Sequence, residues 1–261
     1  LLRSWFNRGF LVLRQITWET PASILEKLVE YEAVHAIENL EDLRRRVLPK
    51  DRRCFAFFHP SMPDEPLIFV EVALTHGVAN SIQDVLSETR EEIDIQDADS
   101  AIFYSISNCQ EGLLGISFGN SLIKQVVQDL SRELPNLKTF VTLSPIPGLS
   151  KWIEKNELQT ISQDETKLKQ LAANYLLEAK QSNGDPIDPV AKFHLGNGAV
   201  IHQINIDADL SAKGLFQSYG VMVNYLYDPL KISHNGELFS KEGQIAASSA
   251  VKSLSRQAER N

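Results

Sequence analysis

Three short stretches of this sequence hold residue types that can bind an anion and move a proton. The first is Gln110-Glu111-Gly112-Leu113-Leu114-Gly115-Ile116-Ser117-Phe118-Gly119-Asn120, between a predicted strand and a predicted helix. Glycines at 112, 115 and 119 let the main chain turn tightly and approach a ligand, and the unpaired N–H groups of a helix start can hold a pyrophosphate. No Gly-Lys-Ser/Thr follows, and the spacing departs from the dinucleotide fingerprint, so the stretch reads as a phosphate cradle or as a plain structural turn. The second is Leu143-Ser144-Pro145-Ile146-Pro147-Gly148-Leu149-Ser150-Lys151-Trp152. Its prolines deny helical continuation and set Ser144 at a strand end, where open α/β sheets place their ligands. The hydroxyl there either faces a ligand or caps the turn.

The third stretch is Asp188-Pro189-Val190-Ala191-Lys192-Phe193-His194-Leu195-Gly196-Asn197-Gly198. Asp188 can cap a short helix, Pro189 can open it, and Gly196 is the expected left-handed stop. His194 then falls in the last turn, where the carbonyl end of the helix favours the imidazolium form and a proton could be donated near neutral pH. A packing or surface role is the alternative. His35, His59, His76, His202 and His234 have no comparable setting, and no pair of them has a metal-ligand spacing, so they are read as structural and no metal site is expected.

The elements that must position these residues follow from apolar periodicity. Thr20-Pro21 signals a helix start, and Ile24, Leu25, Leu28, Val29, Ala36, Ile37, Leu40 and Val47 then recur at helical spacing, predicting one long amphipathic helix that ends at Pro49. Residues 54–58 and 67–74 are rich in aromatic and β-branched side chains and predict a hairpin. Strands are expected over 101–107 and 138–143 with a helix through Leu122, Ile123, Val126, Val127 and Leu130 between them, a β-α-β unit. The polar stretch 154–170 predicts a surface loop or weak helix and the site of an insertion, and Leu171, Ala172, Tyr175, Leu176 and Ala179 a short helix. Strands over 200–206 and 221–227 and a terminal helix complete an α/β chain. Arg44, Arg45, Arg46, Lys50, Arg52 and Arg53 cluster positive charge. They complement a helix C-terminus or, as the alternative, grip a nucleotide phosphate.

Composition narrows the partners. The chain has 261 residues, 43% of them hydrophobic, and its 34 acidic against 26 basic residues give a net charge of −8. An acidic surface excludes general nucleic-acid binding. Apolar runs stop well short of the ~20 residues a bilayer span needs, so a soluble protein without a membrane partner is expected. Cys54 and Cys109 are too few for a disulfide scaffold or a four-ligand zinc site of the usual kind and suit a reducing compartment. The chain opens Leu1-Leu2-Arg3 rather than with Met, which suggests a longer polypeptide and leaves a targeting segment undecided, none being visible.

Taken in order, the string Phe103-Tyr104-Ser105-Ile106-Ser107, the loop from Gly112 to Gly119, Leu143 to Gly148, and Phe193-His194-Leu195-Gly196-Asn197-Gly198-Ala199 resemble the malonyl-CoA decarboxylase family. The resemblance runs from Trp5-Phe6-Asn7-Arg8-Gly9-Phe10-Leu11 and Ile16-Thr17-Trp18-Glu19-Thr20-Pro21-Ala22 to Met222-Val223-Asn224-Tyr225-Leu226-Tyr227. It implies one catalytic domain over residues 1–261, with residues 1–50 an opening segment and long helix. The implied fold is a GNAT-like mixed sheet flanked by helices, without the helical domain that precedes it in full-length members. It also implies that Leu114, Gly115, Ile116, Ser117, Phe118, Gly119 and Asn120 form the CoA-diphosphate loop, that Ser144 and His194 are the active-site serine and histidine, and that Tyr227 lies near them. The sequence departs from the family at Ser117, which is glutamate in some members, at Ile206, where tryptophan is common, and in a short segment after Trp152.

The activity implied is decarboxylation of malonyl-CoA to acetyl-CoA and carbon dioxide without a prosthetic group, CoA being part of the substrate. Ser144 would orient the malonyl carboxylate and His194 protonate the enolate. An acyl-CoA acyltransferase on the same CoA loop and a non-catalytic malonyl-CoA sensor are the alternatives, since a fold does not fix a reaction. A full-length form is expected to be a homo-oligomer, cytoplasmic if bacterial and mitochondrial or peroxisomal if eukaryotic.

Overall fold

The structure is a computed structural model that describes residues 11–110, 118–159 and 164–258. In chain order the elements are β1 (Val12–Ile16), α1 (Ala22–Tyr31), α2 (Leu40–Val47), β2 (Arg52–His59), β3 (Met62–Thr75), α3 (Ile82–Leu86), β4 (Ser100–Asn108) and α4 (Phe118–Glu133). They continue as β5 (Thr139–Thr142), β6 (Ser144–Pro145), α5 (Leu149–Lys155), α6 (Glu165–Glu178), α7 (Pro189–Gly196), β7 (Val200–Asn205), α8 (Ala212–Ser218), β8 (Met222–Leu226), α9 (Ile232–Glu242) and α10 (Ser249–Ala258). The chain divides into two compact units, Leu1–Val78 with Leu86–Phe140 and Ala79–Val85 with Val141–Asn261.

In the first unit β1, β2, β3 and β4 form an antiparallel run in that order. The expected hairpin is β2–β3, and both strands are longer than their apolar runs because main-chain pairing continues to His59↔Met62. Cys54, Ala56 and Phe58 on one face of β2 join Ile24, Leu25 and Leu28 of α1 and Leu43 and Val47 of α2 in one core. Phe55 and Phe57 on the other face are buried as well. A strand covered on both sides reads as a continuous apolar run rather than an alternation, as the Cys54-to-Phe58 stretch does.

The single long helix expected from Thr20 to Pro49 is two helices. The first starts at Ala22 and ends at Tyr31, and Asn39 caps the second by accepting from the Asp42 N–H at 2.9 Å. Glu32 causes the break: its carboxylate accepts from the N–H groups of Val34 (2.8 Å) and His35 (2.9 Å), and from Ser105 Oγ of β4. Those bonds hold the main chain in a turn that helical periodicity cannot reveal.

The arginine cluster is structural. Arg44, Arg45 and Arg46 lie in the last turn of α2, and Arg44 pairs with Glu41, Arg45 with Glu88, Arg52 with Asp51 and Arg53 with Glu133. Arg46 is buried against Glu71 Oε2 at 3.2 Å and donates to the carbonyls of His35 and Ala36, closing the turn between the two helices. The phosphate-grip alternative loses to these carboxylates.

In the second unit β8 is paired antiparallel with β5 (Val141↔Leu226), with β6 (Ser144↔Val223) and with β7 (Ile201↔Tyr225). α6 and α10 pack on each other and on β7. Of the polar 154–170 stretch, residues 154–155 end α5, residues 165–170 open α6 (Glu165–Glu178), and residues 160–163 lie outside the described residues. α6 is longer than the short helix expected and buries Leu168, Leu171, Ala172, Tyr175 and Leu176.

Candidate active site

Ser144 sits where β5 gives way to the two-residue strand β6. Its partner register, Ser144↔Val223 and Pro145↔Met222, attaches the segment to β8, while Pro145 has no N–H with which to extend the ladder. His194 is placed by α7, which opens as expected: Asp188 Oδ1 accepts from the N–H groups of Val190 (3.0 Å) and Ala191 (2.9 Å), with Pro189 as first residue. The stop differs. Gly196 is still helical, Asn197 is the C-cap, and the left-handed residue is Gly198 (φ 84°), where a Cβ would overlap the Ile232 carbonyl.

Both catalytic candidates are buried, and a hydrogen-bonded chain runs through them. Ser144 Oγ donates to Thr142 Oγ1 at 2.8 Å and lies 3.2 Å from His194 Nε2, and His194 Nδ1 lies 2.7 Å from Tyr227 Oη. Because the one Ser144 proton is committed to Thr142, the network assigns the ring proton to Nε2, which donates to Ser144. Nδ1 then accepts from the Tyr227 hydroxyl. Thr142 Oγ1 also accepts from the Tyr225 N–H at 3.2 Å, and the Tyr225 ring stacks on the imidazole with centroids 4.4 Å apart.

His194 is not the imidazolium that its helix position suggests. Burial pushes its pKa from 6.5 down to about 3. The His194 carbonyl at the helix end is satisfied by the N–H groups of Asn197 and Ala199, both at 3.1 Å, and the ring's bonded neighbours are hydroxyls. Desolvation therefore outweighs the helix dipole, whose effect is worth only about 0.3–1 kcal/mol at exposed sites. Burial likewise pushes the Tyr227 phenol up, so it is a fixed neutral hydroxyl.

The structure brings Ser144, His194 and Tyr227 together. Of the expected CoA loop, Leu114 to Ser117 lie outside the described residues, and Phe118, Gly119 and Asn120 form the first turn of α4. Thr142 and Tyr225 are participants that sequence reasoning missed. A period-two signal marks both: Thr142 precedes Ser144, and Tyr225 precedes Tyr227, by the spacing that puts two strand residues on one face.

The family profile for the malonyl-CoA decarboxylase C-terminal domain matches residues 9–168 and 156–261, two stretches that overlap over residues 156–168. The crystal structure of malonyl-CoA decarboxylase from Rhodopseudomonas palustris superposes with a TM-score of 0.91 at 51% identity, covering 97% of this chain and 68% of that one. The mitochondrial malonyl-CoA decarboxylase of Anser anser anser is 37% identical over a span of 308 residues, covering 100% of this chain and 61% of the relative. The chain thus spans about three fifths of the length of that relative. The loading GNATL domain of CurA from Lyngbya majuscula, at 16% identity and a TM-score of 0.56, shows that the α/β fold is GNAT-like. With sequence, fold and the order of its site segments in agreement, this chain belongs to the malonyl-CoA decarboxylase C-terminal domain family.

Proposed function

We propose that this chain carries a decarboxylase site that converts malonyl-CoA to acetyl-CoA and carbon dioxide without a prosthetic group. The observation that carries the reading is the buried Thr142–Ser144–His194–Tyr227 chain in a member of this family. In this reading the CoA diphosphate rests on the main-chain amides of Leu114 to Asn120, the loop that the resemblance implies. The malonyl carboxylate is held at the Ser144 hydroxyl, beside the His194 Nε2–H. An anion there would be a negative partner for a buried ring that is bonded only to hydroxyls among the described residues, so substrate binding allows the ring to take up a proton from water.

Cleavage of the C–C bond passes its electron pair to the thioester enolate as carbon dioxide leaves. The His194 proton then forms the new C–H bond, returning the ring to its neutral form, and one solvent proton is consumed per turnover. Tyr227 Oη accepts from the Nδ1–H that the charged ring carries, which keeps Nε2–H aimed at the substrate, and donates to Nδ1 again once the neutral Nε2–H tautomer is restored.

The test is incubation with malonyl-CoA, following acetyl-CoA and carbon dioxide. In deuterium oxide one deuterium should appear in the acetyl methyl group. Turnover that needs an amine acceptor would replace this reading with acyl transfer, and binding without turnover with a sensor.

A further inference from the structure

Asp188 turns its two oxygens on two different parts of the site. Oδ1 caps α7, the helix that carries His194. Oδ2 is approached by the Tyr175 hydroxyl of α6 at 3.5 Å, and the main chain at Gly148, four residues beyond Ser144, runs beside the same oxygen, its N–H drawing the carboxyl pKa down. A methyl group at Gly148 would overlap Tyr175 Oη and lie 3.8 Å from Asp188 Oδ2, so only glycine lets the main chain come this close. The Tyr225 ring that stacks on His194 lies in the field of the same carboxylate.

Capping alone does not explain this residue. A helix start is capped as well by asparagine, without the cost of burying a charge. Asp188 is 2% exposed and belongs to no ion pair among the described residues. The one cation on its helix, Lys192, pairs instead with Asp185 at 2.8 Å.

We propose that Asp188 is a positioning residue whose ionised carboxylate clamps the Ser144 segment to the His194 helix and so holds the two side chains at reacting distance. The proposal rests on the function proposed above. The titratable groups that face Asp188 are Tyr175 from α6 and Tyr225 from β8, both with pKa values raised by burial. Burial raises Asp188 itself to about 6, against the N–H groups of Ala191, Gly148 and Val190 and the Tyr175 hydroxyl, which draw it down. Acidification through that value protonates the carboxylate and weakens its hold on the Gly148 N–H. His194 is neutral through this range in the free chain, and in the substrate complex its protonation would raise turnover on acidification rather than lower it, so an acid limb in turnover belongs to Asp188.

The test compares D188N and Y175F with the parent over pH. D188N keeps one oxygen for the α7 cap and turns an NH2 group towards the Gly148 N–H. Its kcat should fall about 10-fold to 100-fold, the scale of an ångström's misplacement, with KM little changed. The acid limb near pH 6 should vanish. Y175F keeps the clamp and removes one stabilising hydroxyl, so the limb should move to higher pH at unchanged plateau kcat.

A folded D188N with parent kcat and an intact limb overturns the proposal. If D188N fails to fold, Y175F decides, and an unmoved limb overturns it. A parent chain that releases no carbon dioxide defeats the proposed function instead. The clamp is then read from a crystal structure of D188N: a Ser144 Oγ to His194 Nε2 separation beyond hydrogen-bond reach supports it, and an unchanged 3.2 Å overturns it.

Discussion

Replacing His194 with asparagine tests the central electrostatic claim, that the ring is neutral in the folded chain. Its pKa falls from 6.5 to about 3 through burial. A base whose folded pKa is depressed leaves stability intact above its unfolded value, and that stability is lost as pH falls, because the unfolded chain binds a proton the folded one refuses. At ~1.4 kcal/mol per pKa unit the whole window is worth on the order of 5 kcal/mol, of which about 2–3 kcal/mol is gone by about pH 4.5.

His194→Asn carries a pH-independent cost from its smaller side chain but has no such titration. The difference in unfolding free energy between parent and variant should therefore shrink by about 2–3 kcal/mol between about pH 7 and pH 4.5. Urea unfolding at the two pH values measures it, and the opposite contribution of Asp188 cancels because both chains contain it. The same variant should lose about 100-fold to 10,000-fold in turnover, the range for a missing general acid, while still binding malonyl-CoA. A stability difference that does not change with pH, or a His194 ring titrating near 6.5 by nuclear magnetic resonance, would refute the reasoning.

Ser144→Ala should fold and lose roughly 10-fold to 1000-fold in turnover, and a covalent acyl-Ser144 trapped by mass spectrometry would put nucleophilic catalysis in its place. Tyr227→Phe leaves His194 Nδ1 buried without its donor at a cost of about 1–3 kcal/mol. It should lower kcat more than it raises KM, and unchanged steady-state kinetics would make the phenol a packing group. Gly115→Val should raise the Michaelis constant for malonyl-CoA by blocking main-chain approach to the diphosphate, and unaltered CoA affinity by calorimetry in the folded variant would remove this loop from the site.

Much of this was legible in the residues because it is local. The strands of the first unit are dense runs of β-branched and aromatic side chains, and the α7 cap is written as Asp188-Pro189. Ser144 and His194 stand out because each lies near the end of an element with unusual punctuation, Pro145 after one and the glycines that follow the other, although the left-handed residue is Gly198 rather than the expected Gly196.

What the sequence could not contain is anything set by residues distant along it. The helix expected through Tyr31 to Asn39 is broken by a carboxylate that meets Ser105 from another element. The arginine cluster is consumed by acids as far off as Glu133. Helix position alone predicts a charged His194, whereas its protonation state is decided by what surrounds the ring: Ser144, Tyr225 and Tyr227, each at least 31 residues away, exclude water and offer only hydroxyls and an aromatic face. Desolvation is a property of a packed environment, so it is fixed only when the chain folds.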